Sequence, residues 1–157
     1  MRKAMWSAAA VLAMAACSGG GGGGGPTGNG NPPAVAGTYN ATFTATQATG
    51  CQDLITAPSS TTGLLTVTQS GSSVTLHLAN LHPAIASNAV GTLSTAGAFH
   101  FGPGIVLIDS DENDPNNQLF EATGTFDGTF SGTSMNIAFN FTLATCTVSG
   151  TIVGQRS

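Results

Sequence analysis

The chain has 157 residues, with three Lys or Arg against seven Asp or Glu, and a formal net charge of −4. An acid-rich, base-poor surface repels phosphate backbones and anionic headgroups, so no nucleic-acid partner is expected. The length left after the N-terminal segments described next is one domain's worth, enough to bury a single core unaided.

Arg2 and Lys3 give a positive start. An apolar run from Ala4 to Met14 follows, broken only by Ser7, and Ala15 and Ala16 lead into Cys17. A charged n-region, an apolar h-region and a small-residue cut site are the three parts of a secretory signal, and the run is too short to span a bilayer. The stretch Leu12-Ala-Met-Ala-Ala-Cys17 resembles the lipobox of bacterial lipoproteins, with Met14 in place of the family's usual branched aliphatic residue. The resemblance covers the first 17 or so residues. It implies that residues 1–16 are a signal peptide and that Cys17 becomes the mature N-terminus, acylated with chains such as palmitate and held on a membrane. Ser18 is not the Asp that the family associates with inner-membrane retention, which implies the outer membrane, periplasmic or surface-facing. Without Arg2 and Lys3, the chain keeps Arg156 against seven acids, a net of −6 with neutral histidines and an acylated amino terminus.

Residues 17–34 read as a tether. Seven consecutive glycines, Gly19 to Gly25, have nothing to bury and lose the most backbone entropy on ordering. A Gly-rich coil of this length spans on the order of 20–25 Å. Pro26, Pro32 and Pro33 stiffen its far end. A phosphate loop is excluded, because no strand precedes the glycines and no Gly-Lys-Ser/Thr follows them.

Residues 35–157 read as strands. Tyr39, Ala41, Phe43 and Ala45 alternate with Thr38, Asn40, Thr42 and Thr44; Leu65 and Val67 alternate with Thr66 and Thr68; Val74, Leu76 and Leu78 with Thr75 and His77. Met135, Ile137, Phe139, Phe141 and Leu143 alternate with Asn136, Asn140 and Thr142, and Val148 and Ile152 share the parity of Cys146. Period two is the strand signal. Fainter strands are expected at Val90–Ser94, Ala98–Leu107 and Leu119–Phe126. Gly71-Ser72, Ala96-Gly97 and above all Asp127-Gly128 are hairpin candidates. Gly-Thr recurs at 37, 91, 124, 128, 132 and 150, mostly where strands are expected to start.

About eight short antiparallel strands, each with one apolar face, must close on themselves or form two layers. An up-and-down barrel is preferred over a β-sandwich on the strength of two cysteines. Cys51 lies just past the first strand and Cys146 opens the last, and in such a barrel those strands are antiparallel neighbours. In an oxidising compartment the pair left after Cys17 fits a disulfide. The arrangement resembles the small lipocalin-like barrels, and Gly37-Thr38-Tyr39 resembles the opening strand of avidin-type proteins. The lipocalin Gly-x-Trp opening is absent, so the resemblance implies the barrel and no particular ligand or binding residue.

The densest polar cluster runs from Asp109 to Asn117. Asp109, Asp111 and Asn113 alternate as in the first half of an oxygen-ligand calcium loop, but Asp114 replaces the turn glycine and Phe120 the closing Glu, so turn chemistry is preferred to calcium. His77, His82 and His100 show no metal spacing and read as solvated surface histidines. No Gly-x-Ser-x-Gly, His-Glu-x-x-His or Ser-x-x-Lys is present, and no acid pair faces another, so an enzyme is not expected. The inward stripe is expected to hold Tyr39, Phe43, Leu65, Leu76, Phe99, Phe101, Phe120, Phe126, Ile137, Phe139 and Phe141. An eight-stranded interior is either filled or holds one small ligand. The sequence therefore points to a monomeric, lipid-anchored, non-catalytic binding module of the cell envelope. Its sharper form has a small apolar ligand lined by Phe43, Phe99, Phe120 and Phe139. The competing form is a filled barrel that acts through its surface, and a hydrolase ranks behind both.

Overall fold

The structure is a computed structural model that describes residues 30–51, 56–82, 85–109 and 119–157. Eight strands follow in order: β1 Gly37–Thr49, β2 Ser59–Ser70, β3 Ser73–His77, β4 Asn88–Leu93, β5 Ala98–Asp109, β6 Leu119–Ser131, β7 Ser134–Leu143 and β8 Cys146–Arg156. Each pairs with its sequence neighbours, and β1 pairs antiparallel with β8, so the sheet closes into an up-and-down barrel. The expected barrel forms, not the sandwich.

The alternation of the sequence sets the two faces. On β7 Met135, Ile137, Phe139 and Phe141 are buried while Asn136, Ala138, Asn140 and Thr142 are exposed. On β8 Cys146, Val148, Gly150, Ile152 and Gly154 point inward. Side chains of a pleated strand alternate sides, so one register places all of them.

Two expectations about glycine are corrected. Asp127-Gly128 makes no hairpin; both residues lie inside β6, pairing with Ala138 and Ile137 on β7. A type I′ turn needs positive φ at both central residues, and neither has it. The chain turns instead at Gly132-Thr133, where Gly132 has φ 59°. Likewise Gly91, Gly124, Gly128 and Gly150 of the Gly-Thr pairs sit within strands rather than at their starts.

Strand alternation gives the barrel a proximal end, where β1 begins and β8 finishes, and a distal end. Short turns at 71–72, 94–97 and 132–133 join strands proximally, and 144–145 joins β7 to β8 at the distal end, where β1, β3 and β5 also finish. The wall is thinnest between β4 and β5, whose register holds only at Thr92↔His100 and Leu93↔Phe99. Beyond a register shift at 102–103 on β5, the bridge Ile85↔Ile108 and an Ala86 N–H to Leu107 carbonyl bond of 2.9 Å close the rest.

Candidate functional site

Aromatic rings fill the interior in mutual contact. Phe43 stacks on Phe139 with centroids 4.4 Å apart, and Phe139 on Phe141 at 4.9 Å. Phe126 meets Phe141 edge-on at 5.2 Å and Phe101 at 5.5 Å. Nearer the proximal end, Phe130 takes Tyr39 and Phe99 edge-on at 5.9 and 6.0 Å. The inward glycines seat these rings. A Cβ on Gly124 would stand 2.6 Å from the Phe141 ring, one on Gly91 2.6 Å from Phe99, and one on Gly150 2.7 Å from Phe139. Real interiors are packed to crystal-like density, and here the clearance at the seats is less than a methyl group.

Of the four residues expected to line a ligand, Phe43 and Phe139 stack on each other, and Phe99 belongs to the separate cluster around Phe130. Phe120 has the inward parity of Ala122 and Phe126 but sits at the second position of β6, on the distal rim, and is 36% exposed. Its expected burial in the inward stripe is corrected for that reason: the parity is right and it pairs with buried Ile108, but at the open rim about a third of its surface stays in solvent. Phe101 is half-buried over Gly104, whose Cβ would stand 2.6 Å from its ring. Among the described residues no polar or charged residue is buried. The one hydroxyl inside, Tyr39 Oη, donates to the Val35 carbonyl at 2.8 Å, and burial pushes this phenol above its ordinary pKa. The described interior thus offers no free acid, base or nucleophile.

At the distal end Cys51 and Cys146 form a disulfide, with Cα atoms 4.5 Å apart. Pairing of β1 with β8 brings them together, as the sequence argument required. The 3₁₀ turn Leu78–Asn80 folds the β3–β4 connection back over the barrel mouth, burying Leu78, Leu81 and Ile85. His82 therefore does not stand free in solvent: it is half-buried, its ring 4.7 Å from that of Phe43. Asp109 ends β5 opposite Leu119, while Asp111 and Asn113 lie outside the described residues. Among the described residues no three His, Cys, Asp or Glu side chains come together as a metal site.

The proximal end is closed by residues that sequence reasoning missed. Val35 is buried, its N–H donating to Gln69 Oε1 at 2.8 Å. Gln69 Nε2 donates to the carbonyls of Pro33 and Gly71, both at 3.0 Å. Arg156 Nη1 donates to the Ala34 carbonyl at 3.1 Å. The chain thus enters the barrel at a fixed point, gripped by a glutamine and the last arginine. Only the register of β1 against β2 and β8 brings those groups together, and no local pattern announces it.

On the outer face, Thr123, Thr142, Thr147 and Thr49 form one cross-strand row from β6 through β7 and β8 to β1. His77 Nε2 lies 3.4 Å from Thr68 Oγ1. His100 is paired with Asp127 across β5 and β6: its Nδ1–H donates to the carboxylate at 2.5 Å. Both side chains are 59% exposed. The hydrogen bond and the charge of Asp127 hold the imidazolium pKa above its ordinary value. The pair ties β5 to β6 at the height where β5 has only two partners on β4, with Thr92 across from His100 in the same row. Comparison of the chain with family models, with curated proteins and with solved structures gives no match.

Proposed function

We propose that this protein is an exported lipoprotein, anchored through Cys17, whose barrel is a filled, non-catalytic scaffold that meets its partner through its outer surface. The observation that carries the reading is the ring column from Phe43 through Phe139 and Phe141 to Phe126, seated on Gly124 and Gly150. An apolar ligand inside would have to part rings already in contact, losing about 0.5–1.5 kcal/mol per aromatic pair before gaining anything. The signal, the lipobox and the glycine tether support envelope anchoring, and the acid-rich composition disfavours nucleic acid and anionic headgroups. A single acyl chain holds a protein only marginally, so stable anchoring rests on the several chains a lipoprotein carries.

The test is expression of the wild type and Cys17→Ser in an exporting host, with membrane fractionation and native mass spectrometry. Wild type is expected in the membrane fraction, monomeric, with no retained small molecule, and Cys17→Ser in the soluble fraction. Unchanged fractionation of the variant refutes the anchor, and a retained apolar molecule refutes the filled scaffold.

A further inference from the structure

The outer face is not uniform. Among the described residues its exposed large apolar side chains are Leu64 (53%) on β2 and Val153 (50%) on β8, either side of β1, and a second set of Val90 (57%) on β4, Ile105 (60%) on β5 and Leu119 (50%) on β6, with Phe120 (36%) at the rim beside it. The register gives the second set a pattern. Successive outward rows between β5 and β6 are Ile105↔Thr123, Leu107↔Glu121 and Asp109↔Leu119. Each of the two rows nearest the rim sets an aliphatic side chain beside a carboxylate. Val90 faces outward on β4, beside the stretch where the β4–β5 ladder is interrupted. Contiguous exposed apolar surface on a soluble fold marks an interaction site.

Two observations narrow what fits it. Glu121 stands across from Leu107 among the apolar groups, whereas Arg156 is at the proximal end, holding Ala34. The patch also lies in the distal half of the barrel, while the tether enters at the proximal end through Pro33 to Ala36. Resting on the anchored reading above, the patch therefore points away from the membrane. A second copy would bring like charges together, since the mature chain carries a net of −6. We infer that this β4–β6 distal face docks a segment of another envelope protein whose apolar side chains are flanked by Lys or Arg.

Full-length lipidated protein in phosphatidylcholine nanodiscs is titrated into two fluorescein-labelled peptides, alternating leucine and serine, one flanked by lysines and its twin by glutamates. Anisotropy is expected to report binding of the lysine-flanked peptide at least about tenfold tighter than of its twin. Ile105→Asn and Leu119→Asn each weaken it about tenfold, and Glu121→Gln and added salt weaken it several-fold. Both asparagine changes are at outward positions, and an unchanged melting curve confirms the fold. Equal binding of the twins, no binding of either, or asparagine variants that bind like the wild type overturns the inference. So does a dimer in sedimentation velocity that Ile105→Asn dissolves, because the patch then belongs to a second copy. Co-sedimentation of Cys17→Ser with anionic vesicles, lost in Leu119→Asn, overturns it as well. None of these outcomes bears on the anchor, which the fractionation of Cys17→Ser tests separately.

Discussion

If inward glycines exist to seat rings, the cost of adding one methyl group depends on what the methyl meets. At Gly150 a Cβ would land on the carbonyl oxygen of Thr44, with the Phe139 ring 2.7 Å away. At Gly124 the nearest atoms are side-chain atoms only, Phe141 Cδ1 at 2.6 Å and Val106 Cγ2 at 3.1 Å. At Gly154 the methyl meets Met135 Cε at 2.8 Å, the far end of a flexible chain. Overpacking costs about 1–3 kcal/mol, and Gly→Ala returns about 0.4–1 kcal/mol through the unfolded chain. Gly150→Ala should therefore lose about 3 kcal/mol, because β1 backbone must move. Gly124→Ala should lose about 2 kcal/mol and Gly154→Ala less than about 1 kcal/mol. The discriminating experiment is rescue. Phe141→Leu should recover more than half of the Gly124→Ala loss, a coupling of about 1–2 kcal/mol. Phe139→Leu should leave Gly150→Ala nearly as unstable, since the carbonyl remains. Urea unfolding of the disulfide-intact protein, followed by far-UV circular dichroism, measures all seven variants: the three glycine singles, the two phenylalanine singles and the two doubles. Gly150→Ala within about 0.5 kcal/mol of wild type, or equal rescue at both sites, refutes the seating argument.

Two further outcomes follow from the bonds that close the sheet. The Cys51–Cys146 bridge spans 95 residues, so replacing both cysteines by alanine should cost about 4–5 kcal/mol in the chain-entropy model; a loss under about 1 kcal/mol in urea unfolding would show that β1–β8 pairing alone constrains the ends. His100 holds its proton to higher pH in the folded state, so its stabilisation is complete below the ordinary value of 6.5 and fades as pH rises through the raised folded value. Asp127→Asn should lower the His100 titration midpoint seen by imidazole NMR and flatten stability just above pH 6.5; an unmoved midpoint contradicts the pairing.

The barrel was legible in the sequence because its strongest signals were redundant. Alternation on β1 and β7 set the inward face, and two cysteines placed the first strand beside the last. Glycine was not legible, since the same residue serves a tight turn and a ring seat. At Asp127-Gly128 the local chemistry favoured a turn, yet pairing on both sides of β6 held the segment extended, with a Gly128 Cβ only 2.5 Å from Ile137 Cα. His82 was misplaced for a related reason: the 3₁₀ turn that lays it over Phe43 follows from Leu78, Leu81 and Ile85 needing burial at the barrel mouth, a tertiary demand with no period in the chain. Gln69 and Arg156 grip a segment 36 and 122 residues away, and only the closed register relates them.

The apolar distal face was hidden by a single irregularity. Phe99 is inward on β5, and its odd parity would carry Phe101, Pro103, Ile105 and Leu107 inward with it. At 102–103 the register against β6 shifts, with Gly102 at φ 102°, and from there the even residues Val106 and Ile108 are the buried ones. An extra residue in one strand turns every later side chain to the opposite face. Ile105 and Leu107 therefore leave the inward set for the outer wall, to stand beside Glu121 and Leu119. An unbroken β5 would bury them and present the residues that now fill the core, so the same bulge that thins the β4–β5 seam also makes the patch. The bulge thus decides which aliphatic side chains the outer wall shows at this seam: with it Ile105 and Leu107 stand outside near Glu121, and without it Val106 and Ile108 would.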